Sequence, residues 1–147
     1  MKIKTVYMDI EEVLAQPLQQ HVYPKRPNIF FRMLLRVVSA PDLKATNFKY
    51  REFEMEKLGE KEPCLVLMNH SSFIDLKIAS TVFYPRPLNI VCTSDGFVGK
   101  ERLMRSLGCI PTRKFVTDTQ LVRDMMFALK KLKSSILMYP EASYTFD

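Results

Sequence analysis

The chain has 147 residues, 47% hydrophobic and 26% charged, a balance that suits one globular domain and excludes an intrinsically disordered chain. Its three cysteines, Cys64, Cys92 and Cys109, are widely spaced without a C-x-x-C pair, which argues against a disulfide framework or zinc site and for a reducing cytosolic setting. Nine Lys/Arg against three Asp/Glu between Lys100 and Lys133 account for the whole formal charge of +6, so this part of the chain suits anionic partners such as phosphorylated substrates or acidic lipid.

Residues 1 to 28 read as an irregular extension punctuated by Pro17, Pro24 and Pro27, and Asp9, Glu11 and Glu12 do not suit a signal peptide. "NIFFRMLLRVVS" follows, predicting a helix over about 28–39 with Asn28 as its cap and Arg32 and Arg36 on one face. No apolar stretch approaches the roughly 18 residues needed to cross a bilayer. Two readings of this helix stand side by side. It packs on the domain, or it lies in a membrane interface with its arginines among the headgroups and its apolar residues in the acyl boundary.

From Phe48 to Glu62 alternating charges predict an exposed strand ending at Gly59. "CLVLM" then reads as a strand covered on both faces, and a helix is expected from about Ile74 to Phe83. "LNIVCT" is another buried strand, followed by "KERLMRSLG", where Gly108 suits a helix C-cap. A long helix is predicted from Thr117 to Lys133, since Thr117 and Gln120 have capping-box spacing and Leu121, Met125, Ala128, Leu129 and Leu132 share one stripe. "SILMYP" supplies one more buried strand. Apolar strands alternating with helices imply an α/β fold, a layered, mostly parallel sheet flanked by helices.

In such sheets chemistry gathers at the carboxyl ends of the strands. Asn69 and His70 leave "CLVLM", and Glu141 leaves "SILMYP". A lone histidine is more often a satisfied core or cap residue. Here Asp75 returns near His70 after about one helical turn, provided Ser71 or Ser72 caps the helix. A carboxylate on one imidazole nitrogen fixes the tautomer and leaves the other as a base. The other histidine, His21, lies in the extension, so a zinc site is the weaker reading. Ser71 and Ser72 lack the G-x-S-x-G turn that exposes a nucleophile. No aromatic-and-basic stripe suggests nucleic acid.

These residues carry a family resemblance. "NHSSFID" resembles the first block, N-H-x-x-x-x-D, of the glycerolipid acyltransferase family, which contains the 1-acylglycerol-3-phosphate acyltransferases. "GCIPTRK", Gly108 to Lys114, is similar to its second block, and "YPEAS", Tyr139 to Ser143, to its third, in the same order and at similar separations. The third block departs from the pattern, with Ala142 for glycine, Ser143 for threonine and Tyr144 where an arginine is usual.

The resemblance implies transfer of a fatty acyl group from acyl-CoA or acyl carrier protein to a glycerol hydroxyl of lysophosphatidate or a related phosphorylated acceptor, in phospholipid synthesis and without a cofactor. His70 would be the general base and Asp75 its orienting partner. Arg113 would hold the phosphate, Glu141 would place the glycerol, and Asn69, Gly108 and Lys100 would complete the substrate-binding set. Residues 1–47 form the extension and 48–147 an acyltransferase-like domain that lacks the family's later strands. The chain is then expected to sit peripherally on the inner face of the cell membrane, at an anionic surface. Its uncovered sheet edge would invite self-association. The alternative is a catalytically silent, membrane-associating domain or fragment.

Overall fold

The computed structural model describes residues 11, 21–59, 61–70, 74–113 and 118–140, leaving aside the side chains of 95 and 96. Helix α1 spans Ile29–Ala45, strand β1 Leu65–Leu67, helix α2 Ile74–Val82, strand β2 Leu88–Thr93, helix α3 Glu101–Ser106, strand β3 Cys109–Thr112, helix α4 Thr119–Lys130 and strand β4 Ser135–Met138. All strand pairs are parallel, in the order β1-β4-β2-β3. The expected α/β architecture is therefore present, with helices on both faces of a parallel sheet.

The pleat sends alternate side chains to opposite faces, and the two cores follow from that period. On one face Leu88, Ile90 and Leu137 pack with Ala79 of α2, joined by Val66 and Met68. On the other, Ile110 and Ile136 meet Ala128 of α4, flanked by Leu121, Met125, Leu129 and Leu132. The stripe expected on this helix is thus the one it buries. Each fully buried aliphatic side chain contributes about 1.5–3 kcal/mol, and Ile110, Ile136 and Leu137 are completely enclosed.

Several local expectations are corrected. Residues 48–59 form no strand. Glu54 adopts a left-handed conformation at φ 57°, and a short 3-10 turn covers Met55–Lys57. Alternating charge cannot hold an extended segment that has no neighbouring strand to pair with. Strand β1 is not covered on both faces: it lies at the sheet edge, with Leu65 47% and Leu67 61% exposed. Helix α4 shields the central strands and does not cover these two residues. Its N-cap is Asp118, whose carboxylate accepts from the Leu121 amide at 3.0 Å, so the expected cap pair is displaced by one residue; Thr117 lies outside the described residues.

Helix α1 begins where expected, the Asn28 side chain accepting from the Phe30 amide at 2.9 Å. It continues through Pro41 to Ala45 rather than stopping near 39, held by burial of Leu43 and an ion pair between Asp42 and Lys77 of α2. Its arginines contact the segment that follows α2. Arg32 donates to the Pro85 carbonyl, and the Arg36 guanidinium lies 4.3 Å from the centre of the Tyr84 ring. The opposite face leaves Ile29, Phe30, Met33, Leu34, Val37 and Val38 exposed. This helix therefore combines a packed face with an apolar face turned to solvent.

Residues 21–28 are more than an irregular lead-in. His21 Nε2 lies 2.8 Å from Asp124 Oδ1 on α4, and Tyr23 packs on Phe127. Further along, Asn89 donates to the Lys25 carbonyl at 2.9 Å, and the Asn28 amide donates to Ser106. The segment straps α4, on one face of the sheet, to α1, on the other.

Candidate active site

The His70 position follows from the same two-residue period that builds the core. Val66 and Met68 point to the α2 face, and His70 continues that side beyond the carboxyl end of β1. Asp75 stands in the first turn of α2, which packs on this face. His70 Nδ1 and Asp75 Oδ2 are 3.0 Å apart. The carboxylate is buried, its side chain 6% exposed, whereas the imidazole keeps 24% of its side-chain surface. The pair thus lies at a boundary between core and solvent, with the acid inside and the imidazole partly exposed.

Two features hold this arrangement. The N-terminal end of a helix carries partial positive charge, which favours a carboxylate in its first turn. The ring of Tyr139, just beyond β4, stacks on His70 with centroids 4.1 Å apart and planes 26° apart. The Met68 amide donates to the Met138 carbonyl at 3.2 Å, so backbone pairing of β1 with β4 continues up to the two rings. With Asp75 accepting at Nδ1, the ring's Nε2 is the nitrogen suited to take a proton.

The remaining expected residues are distributed unevenly. Arg113 immediately follows β3, at the same carboxyl end of the sheet as His70. Parity places it on the face of Cys109, opposite to that of Ile110 in the α4-side core. Outer strands β1 and β3 are separated by three strand intervals, roughly 14 Å at about 4.8 Å each. Asn69 is exposed beside His70, and exposed Lys100 directly precedes α3.

Gly108 is elsewhere: it precedes β3 at the amino end of the sheet, away from the dyad. Its φ of +86° and the 2.9 Å separation from Pro27 that a Cβ would have explain the glycine by backbone geometry and packing. The structure therefore does not bring Gly108 together with His70 and Asp75. Glu141, Ser71, Ser72 and Lys114 lie outside the described residues.

A comparison with protein families matches residues 50–146 to the family described as Acyltransferase. The chain belongs to this family. Neither the comparison with curated proteins nor that with solved structures returned a match. The matched region contains the three resembling blocks and the whole parallel sheet, and membership of the acyltransferase family supports a transferase activity. Among the described residues of this acyltransferase domain, no helix is long and apolar enough to cross a membrane. No group of three or more His, Cys, Asp or Glu among them could hold a metal ion.

One contact that motif reading passed over is the Tyr139 ring. Its signal was present, since Tyr139 opens the third block, but stacking on a residue 69 positions earlier requires the β1–β4 pairing to be known. The His21–Asp124 pair had no local signal at all, its partners being 103 residues apart.

Proposed function

We propose that the domain moves a fatty acyl group from a thioester donor, acyl-CoA or acyl carrier protein, to a glycerol hydroxyl of lysophosphatidate or a related phosphorylated acceptor. The observation that carries the reading is the 3.0 Å contact between His70 Nδ1 and buried Asp75, at the strand ends of an acyltransferase-family sheet.

An alcohol is a poor nucleophile until a base removes its proton, while a thioester carbonyl is already activated. In this mechanism Asp75 accepts the Nδ1 proton and orients the ring. His70 Nε2 takes the hydroxyl proton as the oxygen attacks the thioester carbonyl. The carbon–sulfur bond breaks as the tetrahedral intermediate collapses, and the imidazolium returns its proton to the departing thiolate. Base catalysis of this kind contributes about 10²–10⁴-fold. Arg113 suits the acceptor phosphate because a guanidinium forms paired, charge-assisted hydrogen bonds to it. Glu141 and Asn69 complete the acceptor site in this reading, and Lys100 adds positive charge to the approach.

Peripheral attachment to the inner face of an anionic cell membrane fits the same reading. Ile29, Phe30, Met33, Leu34, Val37 and Val38 recur in pairs every four residues and are all exposed, forming an apolar stripe suited to the acyl boundary of a lipid surface. The decisive test is release of coenzyme A from an acyl donor mixed with lysophosphatidate. His70→Ala is expected to abolish it while leaving the circular dichroism spectrum unchanged; turnover that survives the substitution rejects His70 as the base. A wild-type chain that binds vesicles without turnover would favour the silent membrane-associating reading.

A further inference from the structure

The amino-terminal end of the sheet holds a cleft of about 870 Å³, lined by Arg26, Lys61, Arg86 and Lys133, with Glu62 the acid among its described lining residues. Ser135, the first residue of β4, and Pro87, just before β2, also line it. The six residues of β2 rise roughly 20 Å at about 3.3 Å each, so this cleft and the His70 pair occupy opposite ends of the strands.

Four cations facing one cleft repel each other, and among the described residues none of the four forms an ion pair. Two of them are nevertheless held by their surroundings. Arg86 donates to the backbone carbonyls of Glu62 and Leu58 at 3.3 and 3.4 Å. Arg26 lies in the strap between Lys25, whose carbonyl is bonded by buried Asn89, and Pro27, seated against Gly108. Lys133 projects from a left-handed turn at φ 50°, and Pro63, Pro85 and Pro87 stiffen the wall. The cleft is within the size range of small-molecule sites, about 300–1,000 Å³. Its charge favours an anion, and its guanidinium and ammonium groups suit phosphate oxygens.

We propose that this cleft binds the phosphate monoester of a phosphorylated small molecule or phospholipid headgroup, at a site separate from the catalytic end. The inference is independent of the acyl-transfer reading. It is tested on the full chain by titration calorimetry with glycerol 3-phosphate, and by sedimentation with phosphatidylcholine vesicles with and without phosphatidate. The lysines are removed together as Lys61→Gln/Lys133→Asn, asparagine being tolerant of the left-handed turn. Arg26→Gln is a second variant at an exposed side chain, and circular dichroism checks the fold of each.

Both variants are expected to weaken phosphate-dependent binding about tenfold or more, as loss of charge-assisted bonds implies, whereas Arg113→Gln leaves this component in place. Saturable binding of glycerol 3-phosphate that needs the lysines assigns a soluble ester. Lysine-dependent binding to phosphatidate vesicles alone assigns a headgroup. Absence of phosphate-dependent binding in both arms, or equal binding by wild type and the folded variants, overturns the proposal.

Discussion

The imidazole of His70 lies between two different constraints, with Asp75 Oδ2 3.0 Å from its Nδ1 and the Tyr139 ring stacked on its face at 4.1 Å. The carboxylate sets the tautomer, and the phenol ring restricts rotation out of the productive plane. Aromatic stacking of this kind is worth about 0.5–1.5 kcal/mol. Tyr139→Leu is therefore expected to lower kcat roughly 3- to 10-fold in the coenzyme A release assay, with little change in KM for the acceptor, while Tyr139→Phe retains most activity. A phenylalanine variant as impaired as the leucine one would point instead to the hydroxyl.

Asp75→Asn tests the electrostatic half of the pair. An amide that turns its NH₂ toward Nδ1 donates where the carboxylate accepted, which moves the imidazole proton to Nε2 and removes the base. Activity should fall by about 10²-fold or more with the secondary structure intact. Nitrogen-15 spectra of the imidazole should report the tautomer exchange; an unchanged tautomer would remove the explanation.

At Gly108 the expected cost is in stability. A β-carbon there would lie 2.9 Å from Pro27, at a backbone angle of +86°. Left-handed backbone alone costs a non-glycine residue about 1–2 kcal/mol, so Gly108→Ala should lower the urea midpoint by an amount worth roughly 2 kcal/mol or more. KM for the phosphorylated acceptor should not change in the folded fraction. A raised KM at unaltered stability would restore Gly108 to the substrate site.

The strap makes a prediction about proteolysis. His21 and Gln120 both approach Asp124 Oδ1, at 2.8 and 3.1 Å, which satisfies a carboxylate that α4 buries. His21→Ala should loosen residues 21–28 and speed tryptic cleavage after Lys25, read by mass spectrometry in a time course. Equal cleavage rates in the two proteins would show that Asn89 and Pro27 hold the strap without His21.

Cys92 of β2 and Cys109 of β3 are diagonal neighbours on one face of the sheet, Cys109 pairing with Ile90 and Cys92 with Pro111. The hydrogen bond with Cys109, followed by burial, pushes the Cys92 thiol well above its ordinary range. Since the thiolate is the nucleophile, Cys92 should stay protonated and resist iodoacetamide at pH 8 in the native protein. It should react readily in denaturant. Native-state alkylation as fast as that of the unfolded chain would contradict the burial of this pair.

What the amino-acid order determined by itself is what contacts within a few residues control. The period of "LNIVCT" and "SILM", the α4 stripe from Leu121 to Leu132, the Asn28 cap and the five-residue return from His70 to Asp75 all depend on local backbone geometry. Each was legible before any strand had a neighbour. Contacts between distant segments decided the rest. Strand order placed β1 at an edge and exposed Leu65 and Leu67, although "CLVLM" looks as buried as "SILM". The same alternation in residues 48–59 made no strand because no partner lies beside it. The chain path set the α1 arginines against Tyr84 and Pro85, and brought His21 to Asp124 and four cations to one cleft. Periodicity says which side chains share a face, but a face acquires its environment only when another segment packs against it or leaves it open.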